Sequence, residues 1–377
     1  MYDQRSLKKY LKKRSYHHLG IPHALPQKTH YKTFIVIPCY DEYDFIFKTL
    51  DSINKQNIFL LKNTLAIIVI NNSSSDNNII KKNNQLTYNA IIKKLYDFEM
   101  IVLDSFKKNN ALDDKIAGVG AARKIGLDYC LHFINDENSL LCSLDADTIL
   151  SSEYLSTINN EFKTNINVAT INFKHQKSDD HLIEEGIRKY ELIIKNVAHE
   201  IHNTGSPYGY VSMGSTIICN VKSYIACGGM SKKKATEDFY FLQALAKYTK
   251  IKQIKNILVY PSARSKQRVY LGTGYRMSEY KKKKNFKDLH FHKDSYKSLQ
   301  IIIDITDKFW GESYYKFHQA LKENLDIKSI DFLVSKNIES LWNKITNNAN
   351  SKNQFMLFFH QWFDALMIIQ LLKKLNN

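Results

Sequence analysis

The sequence predicts an α/β fold, in which a mostly parallel sheet carries helices on both faces and a helical C-terminal region follows. Short runs that are apolar throughout alternate with segments of helical spacing over the first 150 residues. Such runs are typical of parallel strands that are buried on both faces. The second observation is that the pattern after about residue 276 is helical to the end. The third is a hydrophobic content of 44% in 377 residues, which is enough for a sizeable core.

The order of the elements follows from these runs and from the turn residues between them. Pro38 is expected to end the first strand, since proline lacks a backbone donor. Beyond residue 151 the alternation is looser, with a long helix over about 180–203. The predicted strands are 33–37, 65–72, 99–104, 139–148, 167–173, 214–220 and a last one within 251–264.

Three segments are predicted: a basic N-terminal arm (1–30), an α/β domain (31–275) and the helical region (276–377). The arm, with its "LKKYLKKRSYHHLG" stretch, is interpreted as solvated or as a contact with a membrane surface or partner. In the helical region, Phe355–Leu372 has apolar side chains at helical spacing. That face either packs on the α/β domain or docks on an anionic membrane surface.

Charge and cysteine usage restrict the partners and the compartment. The formal net charge is +17, which suits nucleic acid, anionic lipid or phosphorylated ligands. The five cysteines are odd in number and show no CxxC spacing, which favours reduced thiols in the cytoplasm. With no apolar leader or clean membrane span, the expected location is the cytoplasm, with peripheral contact at the inner face of the membrane as the alternative.

Polar side chains follow the ends of the predicted strands. Asn71 and Asn72 lie at the end of the second strand, and Asp145 and Asp147 lie at the end of the fourth in "SLLCSLDADT". The carboxyl ends of parallel strands open into a crevice where ligands bind. An acid pair there suits Mg²⁺ or Mn²⁺, and Mg²⁺ usually takes one or two carboxylates plus substrate phosphates. A lone DxD is weak evidence, since such acids also cap helices or lie in surface turns.

The order of the motifs along the chain supports the interpretation of the acid pair as a metal site. Over residues 31–275 the chain resembles the family 2 glycosyltransferases, which have the Rossmann-like GT-A fold. The resemblance rests on "VIPCYDE" (36–42), "VINNSSSDNN" (69–78), "GVGAARKIGLD" (118–128), "SLDADT" (143–148), "GSTIICNVKSYIACGGM" (214–230) and "ATEDF" (235–239).

The resemblance implies a nucleotide-sugar donor site on the first strands. Its base and ribose pocket would comprise Pro38, Tyr40 and Glu42 with the turn Asn71–Asn72. Many relatives have Asp-Asp at that turn, so a uracil base is less certain here, and a plain turn is the alternative. Arg123 matches a basic position that faces a diphosphate or base; otherwise it is a surface helix arginine.

The resemblance also implies the reacting groups. Asp145 would contact ribose or sugar, and Asp147, with Asp145 beside it, would hold the metal. Thr236-Glu237-Asp238 matches a "TED" motif whose last carboxylate is the catalytic base, so Asp238 is the predicted base and Glu237 its neighbour. Both lie in the first helical turn, where the helix N-terminus is expected to lower a carboxylate pKa. The alternative is a simple N-capping acid.

Two arginines follow the last predicted strand. Arg264 and Arg268 are candidates to clamp donor phosphates or a charged acceptor, and solvated loop positions are the alternative. The processive members of the family show "QxxRW" in this region, and the chain does not. A processive polysaccharide synthase is therefore disfavoured.

The predicted function is an inverting glycosyltransferase that moves a sugar from a nucleotide-diphosphate-sugar to a hydroxyl of a glycan or lipid-linked acceptor. A nucleotidyltransferase acting on sugar phosphates is the second hypothesis, although the chain lacks a Gly-rich basic loop after strand one. A basic nucleic-acid-binding protein is the third, without a recognisable binding motif.

Overall fold

The computed structural model describes residues 4–16, 20–265 and 272–376. The chain forms two compact units. The first comprises Met1–Arg188 and Ser212–Lys284, and the second comprises Lys189–Val211 and Asn285–Asn377. The second unit thus includes a segment from the middle of the chain. The division predicted from the sequence, at residues 30 and 275, stays a prediction about domains.

The first unit is built on a nine-stranded sheet in the order β1-β4-β3-β2-β5-β8-β7-β9-β6. The strands β2, β3 and β5 are buried at every position, and β4 and β7 at most positions, as expected for strands covered on both faces. The bounds are β1 Ile21–Pro22, β2 Thr33–Cys39, β3 Thr64–Asn71, β4 Glu99–Ser105, β5 Leu140–Ser143, β6 Ile149–Leu150, β7 Val168–Phe173, β8 Ile217–Asn220 and β9 Ile251–Tyr260.

Strands β4, β3, β2 and β5 pair in parallel, which confirms the predicted α/β class. The expectation that Pro38 ends the first strand is wrong, because β2 continues to Cys39. Pro38 pairs with Val69 on one side, whereas the pairing of β2 with β5 stops at Val36. The missing proline donor therefore costs no bond to β5 at that position.

The second half of the sheet is mixed. Strand β8 runs antiparallel to both β5 and β7, and β7 is parallel to β9. The two-residue strand β6 pairs antiparallel with the end of β9 at Tyr260. The chain after β5 therefore turns sharply and joins the far edge of the sheet, so the segment Asp145–Thr148 lies in a turn.

Helices cover the sheet and make up the second unit. Helix α7 begins in the first unit and ends in the second. The α-helices of the described residues are α1 Gln4–Lys13, α2 Tyr43–Asn54, α3 Ile58–Leu61, α4 Asn78–Ile91, α5 Val119–Cys130, α6 Tyr154–Glu161, α7 His181–Asn203, α8 Val221–Ala226, α9 Glu237–Tyr248, α10 Thr273–Lys283, α11 Lys293–Lys308, α12 Tyr314–Asn324, α13 Ile327–Ser335, α14 Ile338–Asn348, α15 Lys352–Trp362 and α16 Ala365–Asn376.

Helix α5 packs tightly on the centre of the sheet. Gly126 permits this, because a Cβ there would come within 2.3 Å of Val36 Cγ1 and 3.0 Å of Val69 Cγ2. Every residue of α5 from Gly120 onward is buried. The two basic residues Arg123 and Lys124 are thus held inside the protein, where each needs an acidic partner.

The second unit has an aromatic core. The rings of Phe317 and Trp342 stack with centroids 3.6 Å apart, and Phe355 packs edge-on to Trp342. The side chains of Phe359 and Phe363 are also fully buried. The apolar face predicted within Phe355–Leu372 therefore contributes to a protein core, although it is split between α15 and α16.

No single helix of the described residues is long and apolar enough to cross a membrane. The pair α15 and α16 meets that test together, with a bend of 66° between the two helices.

Candidate active site

The turn after β5 carries the two aspartates of the DxD motif. Thr148 N donates a hydrogen bond to Asp145 O at 3.1 Å, which closes the turn. Ser215 Oγ donates to Asp145 Oδ2 at 2.6 Å and accepts from Asp145 N at 3.1 Å. Thr49 Oγ1, in helix α2, donates to Ala146 O at 2.8 Å. The turn is therefore fixed from two neighbouring elements, and Asp145 has a defined orientation.

Arg123 joins the DxD turn to the start of α9. Its guanidinium donates to Asp145 Oδ1 and to Glu237 Oε1, and the side chains of Arg123 and Glu237 are each only 4% exposed. Gly214 makes room for it, since a Cβ at that position would overlap the guanidinium. Burial acts to lower the pKa of Arg123, but the charges of these two carboxylates raise it. Arg123 is buried, so the alternative of a surface helix arginine is wrong, and its role toward a diphosphate or base stays a prediction.

Glu237 and Asp238 open helix α9. Thr236 precedes them with φ of +63°, so the backbone turns abruptly into the helix. Burial raises the pKa of Glu237 to about 7, and it also raises the pKa of Asp238 above its ordinary value. The expectation that the helix N-terminus lowers these pKa values is wrong in sign. The loss of hydration outweighs the helix dipole for carboxylates that sit below the surface.

The two carboxylates differ in their partners. Glu237 is committed to Arg123, whereas the side chain of Asp238 accepts one hydrogen bond, from Phe239 N at 2.8 Å. A carboxylate has about four acceptor positions, so Asp238 keeps the capacity to accept a proton or a hydroxyl hydrogen bond. The arrangement suits Asp238 as a base and Glu237 as the residue that orients Arg123.

A second arginine joins the DxD turn to the first strand. Arg264, four residues after β9, makes a bidentate pair with Glu42, with Nη2–Oε1 at 2.6 Å and Nη1–Oε2 at 3.0 Å. Its Nη2 lies 2.7 Å from Asp147 Oδ2, and its guanidinium lies over the ring of Phe45 at 4.4 Å. Burial acts to lower the pKa of Arg264, while Glu42 and Asp147 raise it. Arg264 is thus part of the acid cluster and not a solvated loop residue.

The predicted base pocket at the ends of β2 and β3 is only partly assembled by the residues named from the sequence. Asn71 Oδ1 is buried and has no hydrogen-bond partner among the described residues, so it is an open acceptor. The Asn72 amide donates to Phe106 O at 3.2 Å, and its oxygen accepts from Asn84 Nδ2 at 3.0 Å. Asn72 therefore holds the loops together, and its role in donor binding stays a prediction.

Residues on β2 and the following loop border the same end of the sheet. Pro38 is buried within β2. Tyr40 Oη donates to Asp76 Oδ1 at 3.0 Å, and Asp76 accepts from Ser73 N at 2.7 Å. Asp41 has φ of +57°, and its backbone N–H donates to Asn84 Oδ1 at 3.0 Å. Tyr40 and Glu42 are thus both near the strand end, as predicted. The predicted site residue Arg268 lies outside the described residues.

Few side chains in the site are available to bind a metal ion. No group of three or more His, Cys, Asp or Glu side chains among residues 4–16, 20–265 and 272–376 could hold an ion alone. Of the predicted ligands, Asp145 is engaged by Arg123 and Ser215, whereas Asp147 is bound by Arg264 and its side chain is 14% exposed. This set fits Mg²⁺ or Mn²⁺ only as an ion completed by ligand phosphates, which is the usual arrangement for Mg²⁺.

Three residues that matter to this geometry were not predicted from the sequence. Ser215 orients Asp145, Asn84 joins Asp41 to Asn72, and Phe45 supports Arg264. Ser215 lies inside the motif "GSTIICN", so its polar side chain beside an apolar strand was a usable signal. Asn84 and Phe45 lie within helical patterns that give no such signal.

Comparisons with known proteins find matches among solved structures at low sequence identity. No protein-family profile matches the chain, and no curated protein sequence matches it. Among solved structures, the chain is similar to S. aureus TarS 1–349 in complex with UDP-GlcNAc, at 13% identity and a TM-score of 0.44, covering 88% of this chain and 91% of that one.

Two further structures are similar to the chain. Mannosyltransferase PcManGT from Pyrobaculum calidifontis, in complex with GDP-Man and Mn²⁺, has 11% identity and a TM-score of 0.44, with 94% and 91% of the two chains covered. Glucosyl-3-phosphoglycerate synthase from Mycobacterium tuberculosis, in complex with UDP, has 10% identity and a TM-score of 0.39, with 80% and 84% covered.

Proposed function

We propose that the protein is an inverting glycosyltransferase that moves a sugar from a nucleotide-diphosphate-sugar to an acceptor hydroxyl. The observation that supports this most is the bridge from Asp145 through Arg123 to Glu237, which places Asp238 beside the DxD turn. Two acid motifs that are about ninety residues apart in sequence are thereby brought into one buried network. Such a network can hold a donor on one side and a base on the other.

The donor would bind along the carboxyl ends of β2, β3 and β5. Asn71 supplies a buried amide oxygen that lacks a partner within the described chain, which suits an N–H donor of a base. Tyr40 lies at the end of the same strand as Pro38, and Arg264 lies beside Asp147. A guanidinium at that place can bind diphosphate oxygens in bidentate fashion.

Asp238 would act as the base. It accepts the proton of the acceptor hydroxyl as that oxygen attacks the anomeric carbon, and the bond to the donor diphosphate breaks on the opposite face. The raised pKa of Asp238 makes its carboxylate a stronger proton acceptor once it is ionised. A single displacement of this kind inverts the configuration at the anomeric carbon.

Asp147, with Asp145 beside it, would hold Mg²⁺ or Mn²⁺ together with the donor phosphates. When bound, the ion neutralises negative charge that develops on the leaving diphosphate. Arg264 occupies one oxygen of Asp147, so its guanidinium has to share or leave that carboxylate. If Arg264 leaves Asp147, its contacts with Glu42 and Phe45 can still hold the guanidinium.

We also propose that the reaction takes place in the cytoplasm, with a glycan or lipid-linked acceptor and surface glycan synthesis as the setting. The cysteines support the compartment, since none of the five, all within the described residues, forms a disulfide, and four of them are buried in the apolar core. A nucleotidyltransferase gains no support from the geometry, because no Gly-rich phosphate loop follows β2.

The decisive screen presents the full-length protein with a panel of nucleotide-sugars and measures release of nucleoside diphosphate with and without Mn²⁺. We expect release from one donor, dependent on the metal and lost in Asp238→Asn. Release of pyrophosphate from a nucleoside triphosphate and a sugar phosphate would instead support a nucleotidyltransferase and contradict the proposal.

A further inference from the structure

The N-terminal helix is anchored on the α/β unit by a buried polar network. Tyr10 Oη and Tyr224 Oη each donate to Asp128 Oδ1 at 2.7 Å, and Tyr16 N donates to Asp128 Oδ2 at 2.7 Å. Lys124 Nζ lies 3.0 Å from Asp128 Oδ2 and supplies the balancing charge. Asp128 is fully buried with four partners, so α1 is held in place as part of the first unit.

With its tyrosines turned inward, this segment exposes cations. Lys8, Lys9, Lys12, Lys13 and Arg14 are all exposed, and none of them has a carboxylate partner in the part of the chain that the structure describes. Burial, and after it the negative charge of Asp113, raises the pKa of Tyr16, so one acidic side chain lies at the margin of this surface.

A second group of cations adjoins the first. Lys232, Lys233 and Lys234 are exposed in the loop before α9, and Lys232 Nζ lies over the Tyr16 ring at 5.0 Å. Gly229, in the same loop, abuts the Tyr10 hydroxyl. The segment of residues 8–16 and the loop of residues 229–234 are therefore in contact, and their exposed cations, five in residues 8–14 and three in residues 232–234, are here called the basic surface.

The basic surface is next to the candidate base. A Cβ on Gly120 would meet Lys233 O at 2.2 Å, Ser231 O at 2.9 Å and Glu237 Cβ at 3.0 Å. The backbone of the lysine loop and the first residue of α9 therefore pack against the same point of α5. An acceptor that reaches Asp238 from this side passes over Lys232–Lys234.

We propose that the basic surface binds the acceptor and that the acceptor is a polyanion, a polymer with repeated phosphate or carboxylate groups. The inference rests on the proposed function, because it takes Asp238 as the base. Eight cations with no acidic partner among the described residues repel one another, and a polyanion relieves that repulsion while releasing its counterions. The surface thus guides a charged chain toward the site where a hydroxyl is deprotonated.

An anionic membrane is the competing partner, and the structure favours it less. A helix that docks on lipid presents an apolar face for insertion beside its cations. The apolar side of α1 is used on the protein: Tyr10 is buried, and none of the large apolar side chains over residues 4–16 is exposed. The surface offers charge alone, which suits a soluble or extended anionic chain.

The test measures binding of a fluorescently labelled inorganic polyphosphate to the full-length protein by anisotropy over a range of salt concentrations. We expect the triple variant Lys232→Gln, Lys233→Gln and Lys234→Gln to weaken binding about tenfold or more and to reduce the salt slope by about 2. The matched control is Lys55→Gln, Lys93→Gln and Lys163→Gln, which removes the same charge from exposed positions elsewhere in the first unit and should change binding little.

Three further measurements separate the possible outcomes. An acceptor site must remain open when the donor site is filled, so polyphosphate should bind equally well in the presence of saturating nucleoside diphosphate. Competition between the two, equal weakening in the control triple, or binding to phosphatidylglycerol vesicles without binding to polyphosphate would overturn the proposal. Nucleoside diphosphate release by the wild type, measured without polyphosphate, tests the proposed function separately.

Discussion

Arg123 and Glu237 form an ion pair in which both side chains are 96% buried, although the two residues are 114 positions apart in the chain. The pair joins a helix on the centre of the sheet to the first turn of the helix that carries Asp238. Because a charge left alone in such a place is strongly unfavourable, each partner requires the other. The relative positions of the DxD turn and the candidate base depend on this contact.

Replacing Arg123 tests that dependence. We expect Arg123→Ala to lower the free energy of unfolding by about 3–5 kcal/mol, since it leaves two carboxylates without their cation. The measurement is urea denaturation. Lys94→Ala is the control, because its partner Asp51 is half exposed and such pairs contribute about 1 kcal/mol or less. Equal effects of the two substitutions would show that the Arg123 bridge does not organise the site.

The pH dependence of stability tests the environment of Glu237. Its pKa is raised from 4.5 to about 7, so the folded protein binds more protons than the unfolded chain between these values. The contribution of Glu237 to stability is therefore greatest at low pH and is lost as the pH rises from 4.5 to about 7.

In Glu237→Gln this dependence is removed. We expect wild type to lose stability relative to Glu237→Gln across that pH window, as measured by the free energy of unfolding at several pH values. A difference between the two proteins that stays constant from pH 4.5 to 7, or that changes in the opposite direction, contradicts the raised pKa.

The choice of base makes a kinetic prediction. Asp238→Asn should leave donor affinity nearly unchanged and lower turnover by about 10²-fold or more, the scale of a lost general base. Donor affinity is measured by calorimetry and turnover by release of nucleoside diphosphate. If Glu237→Gln reduces turnover more than Asp238→Asn at a pH above 7, the assignment of the base is wrong.

The proposal that Asp147 is a metal ligand is tested by nucleoside diphosphate binding without turnover. We expect Asp147→Ala to weaken nucleoside diphosphate binding in the presence of Mn²⁺ and to have little effect in its absence, because the carboxylate acts through the ion. Asp76→Ala is a useful comparison, as that acid lies near the strand ends and contacts Tyr40. A wild-type affinity that does not respond to Mn²⁺ argues against the metal-bridged donor.

The aromatic core of the C-terminal unit gives a prediction about residues 355–372. Phe359 is fully buried against Phe363 and Trp362, so Phe359→Ala should destabilise the protein by about 3–5 kcal/mol. The control is Leu357→Ala, at a side chain that is 45% exposed, and it should destabilise the protein far less. Thermal unfolding of both variants, together with co-sedimentation with anionic vesicles, distinguishes a core segment from a membrane-docking one.

The sequence predicted the strands of the first half well because their signal is local. Each of β2, β3 and β4 is an apolar run with turn residues after it, and parallel pairing follows from the helices between them. The direction of β8 was not predictable in this way. An apolar run such as Ile217–Asn220 looks the same whether it pairs parallel or antiparallel, and the choice depends on where the preceding chain crosses the sheet.

The site shows the same distinction between local and long-range information. Motif order brought Asp145, Asp147, Glu237 and Arg123 to attention, and they do lie together. Arg123 is shared between two acids, and Asn72 is used inside the loops. Both facts depend on contacts between distant segments, which the local sequence does not show. The burial of Tyr10 against Asp128 likewise could not be predicted, because the basic N-terminal segment has the composition of a solvated arm.

The central claim is an inverting transfer in which Asp238 deprotonates the acceptor. Its most direct test is proton NMR of the first-formed product, with the donor found by the screen and with water or a hydroxyl compound as the acceptor. The account predicts a product whose anomeric configuration is opposite to that of the donor, formed by wild type and formed about 10²-fold more slowly by Asp238→Asn. A first product with the same anomeric configuration as the donor would contradict it.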